Sequence, residues 1–117
     1  MRKLRLSISA VILVLISIPL QAHAILLSSV PGLNGIVSGP DTPVRLRFNS
    51  RIDVKRSRLV LVGPDGSQHV LALGGVKEPD MLVSEAKGLL RGAYLLHWQV
   101  LASDGHITRG EVPFQVR

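Results

Sequence analysis

Alternating apolar and polar residues in the last third of the chain constrain its fold more than any other feature of the sequence. In residues 93–101 the large apolar side chains of one face are Tyr94, Leu96, Trp98 and Val100. Successive residues of a strand point to opposite sides of a sheet, so this period of two predicts a strand with one face in a core. The only tryptophan lies on that face and is expected to anchor the packing.

The same period occurs in two more segments, separated from the first by turn signals. Gly63-Pro64-Asp65-Gly66 lies between residues 58–62 and 67–73 and predicts a tight hairpin. The further alternating sets are Val44, Leu46 and Phe48 in one segment and Val112, Phe114 and Val116 in the other.

About seven short strands with turns between them, and no helical period, predict a single all-β domain. Its expected fold is a two-sheet antiparallel sandwich of the Ig-like type with Greek-key connections, and a small barrel is the alternative. Asn34-Gly35 is interpreted as part of a turn after an opening strand. Residues 86–92 are interpreted as a loop with room for one helical turn.

The first residues have the pattern of an export signal. The basic run Met1-Arg2-Lys3-Leu4-Arg5 precedes an apolar stretch at residues 6–20. A membrane span is the competing interpretation, but the stretch is shorter than the roughly 20 residues that a helix needs to cross. The sequence therefore predicts a signal peptide at residues 1–22, a domain at residues 23–117 and a periplasmic location. Ala22-His23-Ala24 also permits cleavage after Ala24.

Composition excludes several classes of function. The sequence has no cysteine, so neither a disulfide nor a lipid anchor on cysteine is available. From His23 onward there are 11 Lys and Arg against 8 Asp and Glu, an excess too small to indicate a nucleic-acid-binding protein. The basic residues of the first half of the domain are Arg45, Arg47, Arg51, Lys55, Arg56 and Arg58. The preferred interpretation is a solvated strand face and loop, and a patch for an acidic partner is less favoured.

Two separate stretches carry residues that bind metals. Ser103-Asp104-Gly105-His106 places a carboxylate and an imidazole two residues apart, with a glycine that allows the chain to turn. Asp104 has two possible roles, direct ligation or orientation of the His106 ring. Cleavage after Ala22 would make His23 the first residue and its α-amine a potential ligand. For an isolated Asp-Gly-His the alternative is an ordinary turn with an exposed histidine.

The arrangement of these motifs resembles the CopC family of periplasmic copper-resistance proteins. The similarity rests on His23-Ala24 before an apolar run ending at Pro31, on Phe48-Asn49-Ser50, and above all on a C-terminal pattern. That pattern is Gly92-x-Tyr94-x-x-x-Trp98-x-Val100 followed by Ser103-Asp104-Gly105-His106-x-x-x-Gly110-x-x-x-Phe114-x-Val116.

The resemblance implies a seven-stranded cupredoxin-like or Ig-like sandwich that binds Cu(II) and works beside a membrane transporter of the CopD type. It implies that the ligands are the amine and imidazole of His23, the carboxylate of Asp104 and the imidazole of His106. Nitrogen-rich tetragonal sites suit Cu(II), which stands at the top of the divalent affinity order. The metal has to displace protons from these groups, so binding should weaken in acid.

The sequence departs from the family pattern in two places. Many members carry an acidic residue near the position of Ser50, whereas Asn49-Ser50-Arg51 offers no carboxylate and Asp53 is a distant substitute. Met81 is the only methionine after the signal, so no separate methionine-rich Cu(I) site is expected. His69 and His97 lie within predicted strands on what looks like the polar face and have no partner at metal-ligand spacing, so both are left out of the site.

Three functions are compatible with these residues. The favoured one is a copper carrier or buffer without enzymatic activity. A copper oxidase with the same two-histidine, one-amine centre is the second, although about 95 residues leave little surface for a polymer substrate and a ligating Asp104 would occupy the oxygen position. A metal-free adaptor of a membrane protein is the third, and it predicts that replacement of His23 has no effect.

Overall fold

The computed structural model describes residues 24–74 and 78–117. The predicted signal peptide and His23 lie outside this part of the chain. The strands in chain order are β1 Leu26–Val30, β2 Gly35–Val37, β3 Thr42–Phe48, β4 Ile52–Val62, β5 Gln68–Leu71, β6 Met81–Ala86, β7 Gly92–Ala102 and β8 Ile107–Val116.

The strands form two sheets that pack face to face. One sheet has the order β1-β3-β6 and the other β2-β8-β7-β4-β5. Up to β4 the chain changes sheet at every connection, and it changes sheet again between β5 and β6 and between β6 and β7. The described residues contain no helix, and therefore none long and apolar enough to cross a membrane. The predicted all-β sandwich is confirmed.

The core follows the predicted alternation. Val44, Leu46 and Phe48 of β3 are buried, and they face a second sheet whose buried set includes Leu59, Leu61, Leu96, Val100, Val112 and Phe114. The ring of Trp98 meets that of Phe48 edge to face at 5.1 Å, and Tyr94 stacks on Phe114 at 5.5 Å. Aromatic pairs prefer such offset and edge contacts. The Trp98–Phe48 contact joins the two sheets, and the Tyr94–Phe114 stack joins the neighbouring strands β7 and β8 of one sheet.

Two local predictions are revised by long-range hydrogen bonds. The segment after Asn34 is not only a turn, because β2 pairs in parallel with the end of β8 and raises the strand number to eight. Residues 87–91 form a loop without a helical turn. The backbone N–H groups of Gly88 and Leu89 bond to the Asp41 carboxylate and the Pro40 carbonyl, at 3.1 and 2.8 Å, and not to their own segment.

β4 begins at Ile52, earlier than the expected start at Arg58. Its pairing with β7 shifts register between Asp53 and Arg58, which is a bulge. Buried Ser57 bridges the bulge, since its hydroxyl donates to the Asp53 carbonyl at 2.6 Å and accepts the Leu101 N–H at 3.2 Å. The charged residues of the bulge obscured the strand in the sequence.

The basic residues of β3 differ from one another in their surroundings. Arg45 is exposed, as expected for a solvated face. Arg47 is half-buried and forms ion pairs with Asp80 at 3.0 Å and Glu78 at 3.2 Å, while its other contact is the Met81 sulfur at 3.2 Å. One of the cations in the predicted basic set is therefore neutralised within the chain.

Candidate metal centre

A tight hairpin between β7 and β8 carries Asp104 and His106. The N–H of Ala102 donates to the His106 carbonyl, and the N–H of Gly105 donates to the Ala102 carbonyl, each at 2.9 Å. Gly105 has φ 86°, in the left-handed region that glycine enters without penalty. Three-residue hairpin loops commonly end in such a residue. Asp104 and His106 therefore face each other because the chain turns at Gly105, as the glycine between them suggested.

The Asp104 carboxylate contacts His106 twice. Its Oδ1 accepts the His106 backbone N–H at 3.0 Å, and its Oδ2 lies 2.9 Å from the Nδ1 of the ring. An ionised carboxylate only accepts hydrogen bonds, so Nδ1 carries the proton of this contact. The pKa of Asp104 is lowered, first by the side-chain bond to His106 and then by the bond from its backbone. Asp104 is therefore an anion at neutral pH.

The separation of these two atoms also fits direct metal binding. Imidazole nitrogen and carboxylate oxygen bind metal ions at about 2.0–2.1 Å, so two such donors at a right angle lie about 2.9 Å apart. The observed distance between Nδ1 and Oδ2 is 2.9 Å. The spacing of the two atoms is therefore compatible with both of them binding one cation.

The turn between β3 and β4 lies between this hairpin and the first described residues. On one side, Asn49 Oδ1 accepts the Ile25 N–H at 2.7 Å, and the Asn49 N–H donates to the Ile25 carbonyl at 3.0 Å. On the other side, the Arg51 carbonyl accepts the Ser103 N–H at 3.1 Å. The start of the domain and the hairpin are thus attached to the same turn.

The structure brings together two of the three residues predicted to bind metal. Asp104 and His106 are in contact, whereas His23 immediately precedes the first described residue. Among residues 24–74 and 78–117 no three His, Cys, Asp or Glu side chains converge on one point. Metal binding by His23, Asp104 and His106 therefore stays a prediction.

Asn49 is the residue at this end of the molecule that sequence reasoning missed. The sequence shows Asn49 only as part of the Phe48-Asn49-Ser50 motif, as a residue without a carboxylate. Ser50, at the position where many family members are acidic, directs its hydroxyl to the Arg51 carbonyl at 3.4 Å. Asp53 lies on β4 opposite Leu101 of β7, and its carboxylate is 3.8 Å from Arg56 of its own strand.

The other two histidines lie elsewhere. His97 Nδ1 is 3.3 Å from Glu111 on the neighbouring strand, on the outer face of the five-stranded sheet. His69 Nε2 is 3.3 Å from the Ser67 hydroxyl, beside the β4–β5 turn. His97 lines one concavity of the described surface, of about 540 Å³, and His69 lines another, of about 450 Å³.

Comparisons with known proteins agree with the fold. A family model described as CopC domain matches residues 26–117. "Copper resistance protein C" of Pseudomonas syringae pv. tomato is 29% identical over 111 residues, which cover 88% of this chain and 87% of that protein. "Protein YobA" of Escherichia coli K12 is 27% identical over 119 residues, 99% of this chain and 96% of that protein.

A solved structure gives the same result. CopC from Methylosinus trichosporium OB3b superposes with a TM-score of 0.72 at 28% identity, over 80% of this chain and 93% of that one. None of these names carries an enzymatic activity.

Proposed function

The chain belongs to the CopC domain family, and on that premise we propose that it is a periplasmic Cu(II) carrier or buffer. Membership of this family relates the function of the chain to copper binding and copper resistance. The chain is a binding protein and not an enzyme. The proposal adds the oxidation state, the ligands, the location after export, and transfer of copper to a CopD-type membrane transporter.

The pairing of Asp104 with His106 is the observation that supports this function most. It supplies one nitrogen and one anionic oxygen at 2.9 Å, the spacing of two neighbouring ligands on a tetragonal ion. The proposed second half of the site is His23, which would chelate through its α-amine and imidazole. Three nitrogens and one oxygen form a donor set that suits Cu(II).

The surroundings of Ala24 support cleavage after Ala22. Ala24 is 1% exposed and belongs to the hydrophobic core. Cleavage after Ala24 would remove this buried methyl group and turn the Ile25 N–H, which bonds to Asn49, into a charged amine. Cleavage after Ala22 keeps both features and leaves His23 as the first residue. The domain proposed for the mature protein is therefore residues 23–117.

Copper titration of the exported protein, followed by electron paramagnetic resonance, tests the function. We expect His106→Ala to weaken Cu(II) binding by on the order of 100-fold, since it removes a nitrogen ligand. His97→Ala is the matched control, because His97 is also partly exposed and 3.3 Å from a carboxylate, and it should leave affinity unchanged. Equal effects of the two substitutions, or no Cu(II) binding at neutral pH, would contradict the proposal.

The role of Asp104 is tested separately. In Asp104→Asn the amide oxygen still accepts a hydrogen bond from Nδ1, but the anionic donor is lost. If Asp104 is a ligand, as proposed, affinity falls by roughly 10- to 100-fold and the resonance spectrum changes. An unchanged spectrum would assign Asp104 to ring orientation alone.

A further inference from the structure

Asn49 is bonded to Ile25 through both its side chain and its backbone. The side-chain oxygen accepts the Ile25 N–H at 2.7 Å, and the Asn49 N–H donates to the Ile25 carbonyl at 3.0 Å. The β1–β3 ladder has its last pair at Leu26 and Phe48, beyond a register shift between Leu26 and Ser28. Asn49 therefore extends the ladder one residue toward the amino terminus, with its amide oxygen serving as the acceptor.

This bonded pair is close in sequence to one half of the proposed metal centre and is linked through the β3–β4 turn to the other. Ile25 is two residues after His23, and the residue between them, Ala24, is fixed in the core. The turn that holds Ile25 also holds the hairpin, through the bond from the Ser103 N–H to the Arg51 carbonyl at 3.1 Å.

We propose that Asn49 is a positioning residue that fixes the start of the mature chain against the hairpin of Asp104 and His106. This inference rests on the proposed copper site. An N-terminal ligand on a frayed strand end has to be ordered when the metal binds, and that ordering lowers affinity. Asn49 holds Ile25, two residues after His23, through both backbone groups of Ile25, and its amide side chain is uncharged.

Asn49→Leu removes the acceptor while keeping a side chain of similar size. The chain offers a matched control at the other end of β3, where Asp41 Oδ1 accepts the Gly88 N–H at 3.1 Å. Asp41→Leu removes a similar bridge between a side chain and the backbone, far from the proposed site. Asn49→Asp retains an oxygen acceptor and serves as the rescue variant.

Amide hydrogen exchange in the metal-free protein measures the bond itself. We expect the Ile25 amide to exchange about tenfold faster in Asn49→Leu, and to stay slow in Asn49→Asp and Asp41→Leu. Unchanged exchange in Asn49→Leu would overturn the inference, because Ile25 would then be held by something else.

Copper titration and electron paramagnetic resonance of the same proteins measure the consequence. Asn49→Leu should bind Cu(II) on the order of tenfold more weakly and show a broadened or altered spectrum, whereas Asp41→Leu should match the unmodified protein. Faster Ile25 exchange with unchanged copper affinity and spectrum would overturn the positioning role. Failure of the unmodified protein to bind copper would refute the proposed function and this role with it, while the exchange data would still report whether the bond exists.

Discussion

In the core, the Trp98 ring packs directly against Gly110 and leaves no space for a larger residue at that position. They are paired across β7 and β8, and the Trp98 ring covers the glycine. A Cβ added to Gly110 would lie 2.3 Å from a ring carbon. Because Phe48 contacts the Trp98 ring on its edge, the indole cannot move aside without disturbing the opposite sheet. Gly110 is therefore needed for space.

Gly110→Ala should destabilise the protein by roughly 1–3 kcal/mol, the usual cost of overpacking a filled core. Urea unfolding followed by circular dichroism measures this. Gly74→Ala is the control, since its added Cβ would have only the Val83 carbonyl within contact, at 3.6 Å. A Gly110→Ala protein as stable as the Gly74→Ala protein would show that the ring is not packed as described.

At the scale of residues, the sequence predicted which side chains are buried better than it predicted which side chains contact each other. The alternation placed Trp98 and Phe48 in the core, and the spacing of Asp104 and His106 predicted that they act together. The role of Asn49 could not be predicted, because its bond joins residues 24 positions apart and depends on the strand register.

The β7–β8 hairpin is the element that presents the candidate ligands, and its turn depends on Gly105. Among the described residues, no atom beyond its chain neighbours lies within 4 Å of a Cβ built there, so the left-handed backbone is what opposes a substitution. Gly105→Ala should cost about 1–2 kcal/mol, and Gly105→Asn clearly less, because asparagine tolerates left-handed backbone. Equal stability of the two variants in urea unfolding would argue against the left-handed turn.

The β4–β5 hairpin contains a second turn aspartate whose titration can be measured. The Ser67 hydroxyl and backbone N–H donate to Asp65 Oδ1 at 2.6 and 3.0 Å, and these bonds lower the pKa of Asp65. The stabilisation they provide is fully present above the ordinary aspartate pKa and is lost as the pH falls through the lowered value.

Ser67→Ala should raise the pKa of Asp65 toward its ordinary value, as measured by carboxyl NMR titration. Asp104 is an internal control in the same spectrum, because its pKa is lowered by His106 and not by a serine. A titration of Asp65 unaffected by the substitution would contradict the hydrogen-bonded turn.

Elements with strong alternation, and the β4–β5 hairpin with its turn signal, could be predicted, whereas β2 and the first half of β4 could not. β3, β7 and β8 were expected close to their observed positions. β2 has three residues and gains its partner from the far end of the chain, so no local pattern indicates it. The first half of β4 is bulged and charged, and its pairing depends on Ser57.

At the scale of the whole molecule, the sandwich brings the start of the domain and the β7–β8 hairpin to one end. The connection runs from Ile25 through Asn49 and Arg51 to Ser103. Fold class and family could be predicted from sequence because they depend on patterns spread over the chain. The point of cleavage could not, since Ala22 and Ala24 are both suitable, and the burial of Ala24 provides the missing physical argument.

Intact-mass measurement of the exported protein checks that argument. We expect a mass corresponding to residues 23–117, because cleavage after Ala22 retains the buried Ala24. A mass corresponding to a start at Ile25 would remove His23 from the mature protein and refute the ligand set.

The central claim is that a free amino group at His23 and the imidazole of His106 hold the same copper ion. The most direct measurement compares Cu(II) affinity and electron paramagnetic resonance of the protein that begins at His23 with those of the same protein carrying one additional alanine before it. Both proteins keep every imidazole and carboxylate, and only the position of the amine differs. We predict that the added residue lowers affinity by on the order of 100-fold and removes the amine nitrogen from the spectrum. Identical affinities and spectra would contradict the claim.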